Sequence, residues 1–281
     1  MRKLLKLAAF GFLGLVLVVG TGVAIREIRA AMPLFRQTSD VPSASDSPPS
    51  PQWIAAVERA RLLVRDAIVE QNLPGVSIAV GVGPGGGVIW AEGFGWRDVD
   101  TRALVTPGTR FHIGTAATAL DASSVASAGL TGTGTDSAAD WSPGHIGEEE
   151  EDPPPFKFIH DVIFRPLGLA DPAKPLPGDR ATFYVPRWDD NNPKRGRRLM
   201  FMRDLACCAD GKAFYSTPSD LVNIALATKA DGINLNGELA GGAVMSLVTR
   251  PNQALVVAVA SNIAYADTAA LAQRVADSFK K

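Results

Sequence analysis

Hydrophobic positions fall into distinct kinds of run along this chain, and each kind predicts a different element. Residues 7–25 are apolar and carry no charge; as a helix rising 1.5 Å per residue they would span about 28 Å, close to the roughly 30 Å hydrocarbon core of a bilayer. Further on, Trp53, Ile54, Val57, Leu62, Val64 and Ile68 recur at helical intervals with Arg and Glu between them. That spacing predicts an amphipathic helix of about 20 residues ending near residues 72–74. Two β-rich runs follow, 73–82 and 88–96, separated by a Gly/Pro cluster; they predict a hairpin. Near the carboxy terminus, Arg250, Pro251, Asn252 and Gln253 predict a hairpin turn.

Charge decides how the first run is read. Arg2, Lys3 and Lys6 precede it, and Arg26, Glu27 and Arg29 follow at once. A cleavable signal has an apolar region of about 7 to 15 residues and a small-x-small cleavage site, and Val23-Ala24-Ile25 is a poor one. The expectation is an uncleaved anchor, with a signal segment as the alternative for residues 1–30. The membrane is then the partner of residues 7–25, the basic cluster stays cytoplasmic, and the rest of the chain is extracytoplasmic, periplasmic or extracellular. Residues 37–52 are rich in Ser, Pro and Asp without apolar periodicity, so 31–51 is expected to be a flexible linker and 52–281 the domain. With 281 residues and 46% hydrophobic content the chain can bury a full core. A net charge of -1 suggests no polyanion, and no nucleic acid partner is expected.

Between residues 121 and 155 the periodicity disappears into small residues, Gly-Thr repeats, an acidic run and three prolines; a mobile low-complexity loop is expected. His145 beside Glu148–Asp152 lacks the spacing of a Ca²⁺ loop, so no metal or other cofactor is expected. Phe158, Val162 and Ile163 form the stripe of a helix that Arg165-Pro166 ends, with His160 on its surface. Lys194-Arg-Gly-Arg-Arg198 reads as an exposed loop. Cys207 and Cys208 are neighbours, and a bond between them would be strained, so they are read as thiols. Ser216-Thr-Pro-Ser-Asp220 reads as a helix start, with Ser216 or Thr217 as cap, Pro218 at the first position and Asp220 in the first turn.

The hairpin ends in Gly93-Phe94-Gly95 and is followed by Thr106-Pro-Gly-Thr-Arg-Phe-His-Ile-Gly114. This combination, with residues 158–169 and 214–225, resembles the serine β-lactamase and penicillin-binding-protein superfamily, in its class C-related serine hydrolase branch. The resemblance implies an α+β fold, a mainly antiparallel β-sheet flanked by helices, with residues 233–247 and 255–262 as its last two central strands and residues 268–279 as the last helix, packed beside the first. The interval that would hold the helical subdomain is short, so that subdomain is expected to be largely missing. It also implies where the chemistry would lie. A serine attacks a carbonyl, a lysine one helical turn on or a tyrosine takes its proton, and backbone amides hold the oxyanion. The Ser-x-x-Lys frame falls on Thr115-Ala116-Ala117-Thr118, and the third motif, Lys-Thr-Gly or His-x-Gly, on Leu235-Asn236-Gly237, with Glu238 as the second oxyanion amide. Nothing matches the Tyr-x-Asn motif, and Pro143-Gly144 is the part of its context that the resemblance leaves.

Thr115 keeps a hydroxyl, while Thr118 has no group that is basic near neutral pH. Whether the chain is an enzyme is therefore left open. Three functional expectations follow: a membrane-anchored, catalytically silent domain with a binding or scaffold role; a serine hydrolase (esterase, D-amino-acid peptidase or β-lactamase) with atypical residues, for which Ser123, Ser124 and Ser127 lie downstream; or a non-functional remnant.

Overall fold

A computed structural model of the chain describes residues 14, 16–25, 28, 32–83, 87–112, 165, 168–169, 180–186, 197–199, 215–227, 234–238 and 244–280. Thr115, Thr118, the loop at 121–155, the helix expected around His160 and the two cysteines lie outside these residues.

The hairpin forms as its pattern predicts. β2 (Gly75–Val82) and β3 (Val88–Asp98) pair antiparallel, with a register shift at Val80/Gly81. β10 (Val244–Arg250) pairs with β11 (Leu255–Ser261) across a turn at Pro251–Gln253. All four strands share one sheet, ordered β1-β3-β2-β11-β10-β9, with β1 spanning Ser43–Ser45 and β9 Asn234–Glu238; β4 (Ala103–Leu104) pairs with β3. Residues 233–247, expected to hold one strand, hold β9 and most of β10, paired with each other. The residues between the two strands lie outside those described.

Helices cover both faces of the sheet. α1 (Ile54–Gln71) buries Val57, Ala60, Val64 and Ile68 and ends where Asn72 takes a left-handed conformation, φ 53°. The closing helix (Thr268–Ser278) is capped by Asp267, whose side chain accepts from Ala270 N. These two helices pack together and share one core with Val76, Ile78 and Val80 of β2 and Val257 and Val259 of β11. On the other face, the helix Pro218–Ala227 sets Leu221, Val222 and Ile224 against Ala79, Val256, Ala258 and Ala260. β11 is buried throughout, which is why it reads as a continuous apolar run: a strand covered on both faces has no polar side. The fold is α+β, mainly antiparallel, with helices from Trp53 onward and from Thr268 on one face, as expected.

The stretch expected as a tether packs onto this domain. Phe35 and Val41 are buried, with Phe35 stacked on Trp96 at 6.4 Å. Leu34 N donates to Asn72 Oδ1 at 2.8 Å, Gly95 N to Pro42 O at 2.8 Å, and β1 pairs with residues 92–94 of β3. Composition hid this because the serines of β1 join the sheet through their backbone and contribute no apolar side chain.

At the amino-terminal end, residues 16–25 are helical, with Leu17 and Val18 66% and 71% exposed. The first part of the expected span lies outside the described residues, and among those described no helix is long and apolar enough to cross a membrane. Arg197 and Arg198, expected in a loop, lie in β7 (Arg197–Leu199), which pairs with β6 (Tyr184–Pro186). The run of charges gave no sign of this three-residue pairing.

Candidate functional site

Two glycines explain the Gly-Phe-Gly tail of the hairpin. A Cβ on Gly93 would lie 2.3 Å from Val105 O and 2.7 Å from Thr106 N, so the returning chain fits only against bare backbone. Gly95 has φ +74°, a conformation that side chains with a Cβ rarely adopt. Between them Phe94 is fully buried. This close approach brings in the turn that follows, where Thr106 N donates to Thr109 Oγ1 at 2.9 Å and Thr109 N to Thr106 O at 3.0 Å. The turn delivers β5 (Phe111–His112), the last described residues before Thr115.

β5 pairs with β8 (Tyr215–Ser216), His112 opposite Tyr215 and Phe111 opposite Ser216. β8 opens the helix Pro218–Ala227, and the structure selects Thr217 as its cap. Asp220 N donates to Thr217 Oγ1 at 3.0 Å while Thr217 N donates to Asp220 Oδ2 at 3.2 Å, a reciprocal capping box. Ser216 is fully buried and its hydroxyl lies 3.3 Å from the same carboxylate, so this serine is a structural donor.

An aromatic cluster surrounds β5. The His112 ring meets Tyr215 edge-on at 5.3 Å and Phe183 at 6.2 Å, while the Arg180 guanidinium lies 4.6 Å from the centre of the Tyr215 ring. Burial among these rings pushes the His112 imidazole down from 6.5 to about 4, so it is neutral at physiological pH. Residues 180–184 are stitched in by backbone bonds: Ala181 N to Arg110 O at 2.9 Å, Thr182 N to Arg97 O at 2.8 Å, and Tyr184 N to Asn262 O at 2.9 Å. Asn262, fully buried just past the end of β11, ties β3 to the segment that leads into β6 through one amide group, donating to Trp96 O and Thr182 O at 3.2 and 3.1 Å. Asp98 closes the same junction. Partial burial works to raise its pKa, but hydrogen bonds from Thr101 and Thr182 outweigh it and hold the carboxyl below its usual value.

The third-motif position is placed on β9, with Gly237 opposite Met245 and Glu238 opposite Val244, at the edge of the main sheet. Thr115 and Thr118 lie outside the described residues, so the four expected site residues are brought to their strands only at Gly237 and Glu238. Among the described residues no group of His, Cys, Asp and Glu could hold a metal. The sequence reading missed the cluster of His112, Arg180, Phe183 and Tyr215. His112 and Tyr215 sit inside motifs already quoted, and pairing those two motifs would have found them; Arg180 and Phe183 carry no local signal. A cavity of about 180 Å³ lies elsewhere, between Trp53, Ala56 and Arg59 at the start of α1 and Phe279 and Lys280 at the end of the chain.

No sequence-family profile matches the chain, and no curated protein matches it. Solved structures do. The octameric penicillin-binding protein homologue from Pyrococcus abyssi is 15% identical, with a TM-score of 0.53 over 77% of this chain and 75% of that one. SurE is 17% identical, at 0.52 over 80% and 76%. The D-alanine carboxypeptidase AmpC from Burkholderia cenocepacia is 13% identical, at 0.52 over 80% and 99%. Identities this low carry the architecture alone, and with the sheet order and the motif-bearing turns described above they lead to one conclusion: the chain has the fold of the serine β-lactamases and penicillin-binding proteins.

Proposed function

We propose that this protein is a membrane-anchored, extracytoplasmic domain of the β-lactamase fold that binds a cell-envelope ligand without hydrolysing it. The observation that carries this reading is the pair Thr115 and Thr118 at the positions of the nucleophile and its base. Loss of an activating base costs on the order of 10² to 10⁴ in rate, and here the tyrosine and the Lys or His of the third motif are absent as well. The names of the structural neighbours, a D-alanine carboxypeptidase and a penicillin-binding protein homologue, favour a peptide ending in a D-amino acid as the ligand class. The anchor is supported by the apolar run at 7–25 and by the exposure of Val16, Leu17, Val18 and Val19, since a helix apolar on all sides needs an apolar surrounding.

The test is exposure of the full chain to a β-lactam or phosphonate probe, beside an active hydrolase of this fold, together with titration of a D-alanine-ended peptide. Peptide binding without covalent labelling is the expected outcome. A stable adduct on Thr115, or on Ser123, Ser124 or Ser127, would instead establish the atypical hydrolase. Neither binding nor labelling would leave the remnant reading.

A further inference from the structure

The membrane reading leaves open how the domain sits on the lipid, and the packed arm answers it. The geometry points to one end of the domain, the end bearing Glu70–Asn72 and Tyr265, as the face held against the bilayer; this inference rests on the proposed anchor. The chain leaves the apolar run at Ile25 and is fixed to the domain at Leu34, whose N–H donates to Asn72 Oδ1 at the last turn of α1. Asn72 is itself clamped: Tyr265 Oη donates to its carbonyl at 3.0 Å, and Leu73 N to Ile68 O at 2.9 Å. Only residues 26–33 separate anchor from clamp. Fully extended, they reach about 30 Å.

That reach decides the orientation. The polar headgroup layer takes roughly 5 to 8 Å on each side of the hydrocarbon core, leaving about 24 Å of leash. α1 runs from Ile54 to Gln71, 18 residues, and is about 27 Å long. For the Gln52 end of the domain to touch lipid, the leash would have to run back along the whole of α1 after crossing the headgroups, and it is too short. The clamped end reaches the surface with length to spare. Ile28 and Met32, 58% and 56% exposed, place apolar side chains on the leash itself, where the headgroup boundary would cover them.

The experiment uses the full chain in phosphatidylcholine–phosphatidylglycerol vesicles whose headgroups carry a nitroxide. A fluorescent amino acid is placed at Glu70 or at Gln52, both exposed positions at opposite ends of α1. Quenching is expected to be several-fold greater at 70 than at 52, and inserting a long Gly/Ser segment after Met32 is expected to remove the difference. Equal quenching at the two positions in chains that resist alkaline carbonate overturns the inference and leaves the anchor standing. Release of the chain by carbonate overturns both.

Discussion

A single imidazole is expected to give this domain an acid response. His112 is 8% exposed, enclosed by Phe183 and Tyr215, and its folded-state pKa of about 4 lies below the 6.5 of an unfolded chain. As the pH falls below 6.5 the unfolded chain takes up a proton that the folded chain refuses, so stability drops until the pH reaches about 4 and changes no further from this group. A shift of that size is worth on the order of 3 kcal/mol. Replacing His112→Phe keeps the ring packing and removes the titration. In urea unfolding at about pH 7 and about pH 4, the loss of stability on acidification is expected to be smaller in the variant by that amount. Carboxylates contribute equally to both proteins and cancel in the difference. Equal losses would mean that His112 titrates normally. The buried Glu92 illustrates a different balance at the same scale. It accepts from Arg61 Nε at 2.7 Å and Trp90 Nε1 at 2.9 Å, so a carboxylate 3% exposed is satisfied on both counts. Glu92 drew no notice in the sequence, because an acid at a strand position reads as solvent-facing until the helix that covers it is known.

Elements with strong periodicity were legible, and those held by a few tertiary contacts were not. α1 and the β2–β3 hairpin follow from spacing alone, since each buries a continuous stripe or face. The turn at 250–253 and the family resemblance announced β10 and β11 as a pair, though not that β9 would split from β10 and become the edge. The arm from Met32 to Ser45 gave no periodic signal at all. Its attachment depends on two apolar residues, Phe35 and Val41, set among polar ones, and on backbone pairing that three serine-and-alanine residues can supply. Arg65 adds a side-chain bond, donating to Ser43 Oγ at 3.1 Å while its guanidinium lies 5.8 Å from the Phe94 ring. The arm also covers part of the outer edge of β3, which would otherwise present unpaired backbone. Truncating Phe35→Ala is expected to cost about 3 kcal/mol, at the low end for a buried phenylalanine because the site lies at the margin of the core. A chain starting at Gln52 loses Val41 and the β1 pairing as well and is expected to be less stable than that point variant. Urea midpoints of the two proteins against the full chain test the order; midpoints unchanged by either alteration would make the arm a passenger on the surface.

Across the whole molecule, register places the arm and the third-motif position at opposite edges of one sheet. Ser43, Phe94, Val76, Ser261, Val244 and Glu238 form a single cross-strand row, so five interstrand spacings, about 24 Å, separate the arm from the third-motif position. The same layout explains why the fold was readable while the site was not: the motif glycines and turns are local features, whereas an active site needs groups from separate sheets to meet. Thr115 follows β5, in a two-stranded sheet with β8, and Gly237 and Glu238 belong to β9 of the main sheet. Restoring Thr115→Ser and Thr118→Lys together would return a nucleophile and a base at the spacing of one helical turn. The tyrosine and the third-motif cation would still be missing, and members of a catalytic unit are strongly non-additive, so two restored groups in an incomplete set gain little. The amides of residue 115 and Glu238 would also have to converge on one oxyanion from two different sheets, and a misplacement of about 1 Å costs on the order of 10²-fold. Hydrolysis of a chromogenic β-lactam or an activated ester by the double variant is therefore expected to stay near the rate of the natural chain. Turnover comparable to active hydrolases of this fold would show that the two sheets already hold a working geometry, and that the natural protein is silent through its two threonines alone.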